Sequence, residues 1–258
     1  MISQNSFFRL SGLLLTLLVV LPPKITQAES NLNSSTSEQN NCYPPPDSKQ
    51  PQYIIGYGSL MQDSDRKRTS PRSGTAYPVT VQGYRRGWFA KGGRIGFDAT
   101  YLGVVPQPNS NLNAVIYSIT DPTELLATDK REYFYCRRLV KPSEFTVLRD
   151  GLLGEPGQVW IYTLKQESMA TPSVRYPIAQ SYVDIFLSGC LEQEERYNLK
   201  DFARQCITTT TDWSEHWVND RIYPRQPFFY QPKASAIDKL INEQLPNYFQ
   251  QIHIESTQ

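Results

Sequence analysis

Two short stretches of this chain combine residue types that can do chemistry. The first is Gly56-Tyr57-Gly58-Ser59-Leu60, which follows the apolar run Tyr53-Ile54-Ile55. Gly56 and Gly58 carry no Cβ, so the backbone can bend there and a ligand can approach it closely. Successive N–H groups at such a bend can converge on a carboxylate or on a forming oxyanion. Glycines after a strand also serve as plain turn residues. The second stretch is Ala127-Thr128-Asp129-Lys130-Arg131-Glu132-Tyr133-Phe134-Tyr135. Burial beside three aromatic residues disfavours the charged form of Glu132 and raises its pKa. A carboxylate tuned in that way is a useful general base near neutral pH. The plainer reading of Glu132 is a surface acid paired with Arg137 or Lys130.

Several other chemistries lack their residues. Gly56-Tyr57-Gly58-Ser59-Leu60-Met61 has Met61 where the third glycine of a dinucleotide fingerprint belongs, and no βαβ unit follows. No phosphate-loop motif occurs, and Ser59 sits in G-Y-G-S-L rather than G-x-S-x-G. The only histidines are His216 and His253, which leaves little basis for a Ser–His–acid triad. With no C-x-x-C pair besides, a structural zinc site is not expected. No metal and no cofactor is called for.

The elements that must position these residues are legible in outline. Gln52–Gly56 is apolar and β-branched and reads as a buried strand that ends in the glycine turn. Residues 77–84, 100–105 and 113–119 read as further strands, with 106–112 (PQPNSNL) as a hairpin loop between the last two. Thr120 or Asp121 can cap a helix that starts at Pro122, and Glu124 suits its positive end, so a helix over Pro122–Arg131 is predicted. Tyr135–Val140 and Gln158–Leu164 read as strands, and residues 178–187, 199–206 and 236–249 show helical spacing. Strands come mostly first and helices later. That order predicts an α+β fold with a mixed or antiparallel, barrel-like sheet and peripheral helices.

The start of the chain reads as a leader. Arg9 precedes an apolar run at residues 10–21, and Thr26-Gln27-Ala28 follows, the pattern of a secretory signal peptide over residues 1–28. Twelve residues rise only ~18 Å as a helix, short of a ~30 Å hydrocarbon core. Residues 29–52 are rich in Ser, Asn, Gln and Pro and read as a flexible tether, leaving one domain over 53–258. An exported protein with no membrane span after cleavage is therefore expected. The whole chain carries 26 basic and 25 acidic residues, so it lacks the basic footprint that nucleic acid requires. Cys42, Cys136, Cys190 and Cys206 allow three full pairings, and sequence does not select among them. Cys190 and Cys206 could clip a helical region, and four unpaired thiols are the alternative.

Together, Tyr57-Gly58-Ser59-Leu60 and, about 70 residues on, Asp129-Lys130-Arg131-Glu132-Tyr133-Phe134-Tyr135 resemble the γ-glutamylcyclotransferase-like superfamily. That superfamily includes γ-glutamyl cyclotransferases, γ-glutamylamine cyclotransferases, ChaC enzymes and AIG2-like proteins. Gly83–Phe89 in sequence (GYRRGWF), residues 101–119, and the segment from Ser181 to Gly189 add to the resemblance. It spans residues 53–189; the segment 190–258 has no counterpart in it and reads as a helical, aromatic extension. Some members have Asn where this chain has Leu60, so the resemblance leaves the substrate class open. It implies an enzyme whose γ-glutamyl substrate cyclises by attack of its own α-amine on its γ-carbonyl, releasing 5-oxoproline and an amine or amino acid. Glu132 is then the catalytic acid–base group. Ile55, Gly56, Tyr57, Gly58, Ser59, Leu60 and Tyr182 would contact the small γ-glutamyl substrate. The alternative is an exported binding module of the same fold without turnover.

Overall fold

The computed structural model describes residues 42–94, 97–149, 153–225 and 233–254. The leader assigned to residues 1–28, and the tether as far as residue 41, lie outside the described residues. The strands are β1 (Gln52–Gly56), β2 (Tyr77–Arg94), β3 (Phe97–Ile119), β4 (Tyr135–Val140), β5 (Phe145–Val147), β6 (Gln158–Leu164), β7 (Ile178–Ala179), β8 (Thr210–Thr211), β9 (Trp217–Asn219) and β10 (His253–Ile254). The helices are α1 (Asp63–Thr69), α2 (Pro122–Arg131), α3 (Gln180–Tyr197), α4 (Phe202–Thr208), α5 (Ala234–Gln244) and α6 (Pro246–Phe249).

All ten strands join one mixed sheet in the order β10-β9-β7-β3-β1-β6-β4, with β2 on β3, and β5 and β8 on β2. The fold is α+β as the strand-then-helix order predicts. Among the described residues the sheet does not close on itself, so the barrel is incomplete. β1 lies between antiparallel β3 and parallel β6, with Ile55 opposite Ile116 on one side and Ile161 on the other. A strand flanked on both sides and buried at all five positions has no need of polar alternation, which is why its sequence is a continuous apolar run. Alternate side chains feed two cores. Ile54, Trp88, Leu102, Val115 and Trp160 pack with Phe186 and Leu187 of α3, while Ile55, Val81, Val104, Ile116 and Ile161 fill the opposite face.

The sequence places the joint that carries Glu132 accurately. Asp121 Oδ1 accepts the Thr123 N–H at 2.8 Å, Pro122 takes the first turn, and α2 runs over the predicted Pro122–Arg131. Glu132 caps its C-terminus, its N–H donating to the Thr128 carbonyl at 2.8 Å. Tyr135 N–H then donates to the Glu132 carbonyl at 2.9 Å, and the chain enters β4.

Four expectations change. The predicted hairpin loop at 106–112 does not reverse the chain: β3 runs antiparallel to β2 on both sides of it, with Tyr84 opposite Pro106 and Gln82 opposite Asn111. Residues 107–110 bulge outward against the single residue Gly83, whose φ of +80° suits glycine. Residues 178–187 begin as the two-residue strand β7, and only from Gln180 do they form α3. The helix read over 236–249 is broken at Leu245, because Pro246 follows. The tether read to Gln52 is anchored from Cys42 onward, where a disulfide joins Cys42 to Cys136. A second disulfide, Cys190–Cys206, clips α3 to α4. Among the described residues no helix is long and apolar enough to cross a membrane.

Candidate active site

The turn after β1 is a single 3-10 turn over Ser59–Met61, with Met61 N–H on the Gly58 carbonyl at 3.0 Å and Gln62 N–H on the Ser59 carbonyl at 3.1 Å. The N–H groups at the start of such a turn have no acceptor within it. Both glycines are sterically required. A Cβ on Gly56 would stand 2.8 Å from the Leu60 Cβ, and a Cβ on Gly58 would stand 2.9 Å from the Tyr182 hydroxyl. Behind the turn, the fully buried Arg86 donates to the Tyr57 carbonyl at 3.1 Å and to the Asn113 carbonyl at 2.8 Å.

The turn and Glu132 meet at one place. A small hollow of about 30 Å³ is lined by Ile55, Tyr57, Gly58, Ser59, Leu60, Glu132 and Tyr182, with Leu102, Tyr135 and Tyr162. Seven of the eight residues singled out in the sequence thus share one wall; Gly56 is not on it and acts by letting Leu60 fold back. A larger cavity of about 430 Å³ shares Ser59, Glu132, Tyr135 and Tyr182 with the hollow. It continues past Tyr101, Phe134 and Tyr133 to Arg68 and Lys130. Its size lies in the range of small-molecule sites.

Glu132 has a composite environment. Its side chain keeps 16% of its exposure, and Arg131 Nε stands 3.2 Å from its Oε1. The partner is therefore Arg131, and neither Arg137 nor Lys130. Burial raises the Glu132 pKa and is the largest influence; Arg131 opposes it and the Asp65 carboxylate adds to it. Arg131 is itself held by Asp65 Oδ2 at 2.5 Å, Thr69 Oγ1 at 2.9 Å and Ser59 Oγ at 2.8 Å. One guanidinium thus links the glutamate to the glycine turn and to α1.

Tyrosines complete the walls. Tyr182 packs edge-on against Tyr101, with ring centroids 5.0 Å apart, and against Trp88. Burial pushes the Tyr182 hydroxyl well above the ordinary tyrosine pKa, and the nearby Glu132 carboxylate adds to that. Tyr57 donates to the Tyr162 carbonyl at 2.6 Å, and Tyr162 donates to Asp129 Oδ1 at 2.7 Å. Asp129, the first acid of the second motif, therefore holds the wall from behind and pairs with Arg137 at 3.5 Å. Arg131 and Asp65 were not foreseen. Arg131 had a signal, since it directly precedes Glu132; Asp65 had none, because only the fold brings α1 to this place. Among the described residues no cluster of His, Cys, Asp and Glu could hold a metal ion.

No family model and no curated protein matches the chain. Solved structures align with much of the chain at low identity. One is described as a gamma-glutamyl cyclotransferase: it is 11% identical, with a TM-score of 0.49 over 74% of this chain and 99% of that one. An uncharacterised protein from Homo sapiens is 14% identical with a TM-score of 0.47, covering 64% of this chain and 92% of its own. A glutathione-specific γ-glutamyl cyclotransferase from yeast is 12% identical with a TM-score of 0.38, covering 62% and 97%. At these identities the chemistry of this chain rests on its own residues.

Proposed function

We propose that the protein is a γ-glutamyl cyclotransferase, closing a γ-glutamyl amide onto its own α-amine to release 5-oxoproline and an amine or amino acid. The observation that carries this reading is the meeting of Glu132, with its raised pKa, and the Tyr57–Leu60 turn on one concave wall. The nucleophile belongs to the substrate, so holding it against the carbonyl supplies much of the rate; well-oriented intramolecular reactions reach effective molarities of ~10⁵ M or more. The α-ammonium first gives one proton to solvent and becomes the attacking amine, and Glu132 takes a second from that nitrogen as the C–N bond forms. It then returns the proton to the leaving nitrogen as the amide bond breaks. The turn amides are the candidate donors to the oxygen that gains charge, a kind of contact worth about 3 kcal/mol per donor. Tyr182 shapes the γ-glutamyl end, and the larger cavity takes the leaving amine. No step requires a cofactor.

We also read the protein as exported. The apolar run at residues 10–21 and the two disulfides, which persist in oxidising compartments, support this. The test of the function is a panel of γ-glutamyl amino acids, γ-glutamylamines and glutathione, with 5-oxoproline as readout. Release from at least one is expected. Binding without release from any of them would favour the non-catalytic module.

A further inference from the structure

The joint that carries Glu132 is braced by a segment the mechanism does not use. Cys42, disulfide-bonded to Cys136, lays residues 42–44 along β4: Arg137 N–H donates to the Cys42 carbonyl at 2.8 Å, and Arg137 Nη2 to the Pro44 carbonyl at 2.5 Å. Between them the Tyr43 hydroxyl donates its one proton to two carbonyls, Glu132 at 3.1 Å and Tyr135 at 2.8 Å. These carbonyls bound the stretch from Glu132 to Tyr135 in which α2 passes into β4. Lys165 holds the two carbonyls between them. Its Nζ donates to Tyr133 at 2.7 Å, its N–H donates to Phe134 at 3.1 Å, and its ammonium lies 5.7 Å from the centre of the Tyr43 ring. Every carbonyl from Glu132 to Tyr135 therefore accepts a hydrogen bond from Tyr43 or Lys165, while all four residues line the cavity.

We propose that Tyr43 is a positioning residue for Glu132, and that the Cys42–Cys136 disulfide seats it. The physical need is plain. Carbonyls at a helix C-terminus lack intrahelical donors, and a joint whose ends are free to separate would let the carboxylate drift relative to the glycine turn. Displacements of about 1 Å in a positioned group cost up to a hundredfold in rate. Without its disulfide, the segment keeps only the packing of Tyr43 against the core and its few hydrogen bonds, because the Ser-, Asn- and Gln-rich stretch before it offers little apolar surface. The brace thus ties full activity to the oxidised chain. This inference rests on the assignment of Glu132 as the acid–base group.

The test compares wild type, Tyr43→Phe and the double variant Cys42→Ser/Cys136→Ser, all purified as full chains. Tyr43→Phe should lower kcat about fivefold, the scale of one hydrogen bond, with KM changed less than twofold. The double variant should lower kcat at least as far. Hydrogen exchange at the Tyr135 amide, which is bonded to the Glu132 carbonyl, should quicken in both variants and needs no turnover to be read. A merely structural brace would lower the melting temperature of the double variant and leave kcat of folded Tyr43→Phe unchanged, which would overturn the proposal. Unchanged Tyr135 exchange in Tyr43→Phe would overturn it as well. If wild type releases no 5-oxoproline from any substrate, the functional reading fails instead, and the exchange measurement alone decides whether the brace holds the joint.

Discussion

Removing Arg131 should move the pH dependence of the reaction, and the structure bounds by how much. The Arg131 Nε to Glu132 Oε1 distance is 3.2 Å. A pair of unit charges at that distance is worth about 1.3 kcal/mol in bulk water and about 5 kcal/mol at an effective dielectric of about 20. Those limits correspond to about one and about four pH units. The two side chains keep 25% and 16% of their exposure, so the pair lies between the limits. Arg131 holds the Glu132 pKa down, so Arg131→Met lets it rise. Because the base must be unprotonated, the acid limb of kcat/KM should move upward by at least about one pH unit. Asp65 keeps Arg68 at 3.0 Å in this variant, and circular dichroism with a melting curve checks the fold. Arg131→Lys is the milder companion, since a single ammonium cannot span Asp65, Ser59 and Glu132 as the guanidinium does. An NMR titration of the Glu132 carboxyl gives the same answer without turnover. A folded Arg131→Met whose acid limb and carboxyl titration match wild type would refute the electrostatic account of this site.

Two further outcomes follow from the same wall. Gly58→Ala places a Cβ 2.9 Å from the Tyr182 hydroxyl, so that ring must move. About tenfold or more should be lost from kcat/KM with the fold retained, and steady-state kinetics equal to wild type would show that the close approach has no bearing on the site. Glu132→Gln should also be more stable than wild type at neutral pH. Burial raises the Glu132 pKa in the fold, so keeping the group charged costs stability. The cost is absent below the unfolded-state value and grows as pH rises through the folded one. Melting curves from pH 4 to 8 should show the variant's advantage growing with pH; an advantage that shrinks would reverse the sign assigned to this burial.

Local signals were legible wherever one feature dominated. Asp121, Pro122 and the polar end of α2 fixed that helix, and the apolar run Tyr53-Ile54-Ile55 fixed β1. The glycine turn and Glu132 stood out because the missing Cβ atoms and the acid among aromatics each carry a physical meaning. What stayed hidden depends on distant parts of the chain. The bulge at 107–110 looks like any polar turn, and only its pairing with β2 on both sides keeps the strand direction. Asp65 and Tyr43 reach the site through α1 and through a disulfide across 94 residues. No local pattern announces either contact. The Cys190–Cys206 clip was one of several open pairings until α3 and α4 were seen to lie side by side.

The claim that matters most is that Glu132 moves the proton. It is tested by single-turnover 5-oxoproline release from Glu132→Gln, on a substrate that wild type accepts. The account predicts a folded protein that still binds the substrate and has lost at least about a hundredfold in rate. Release at the wild-type rate would contradict it.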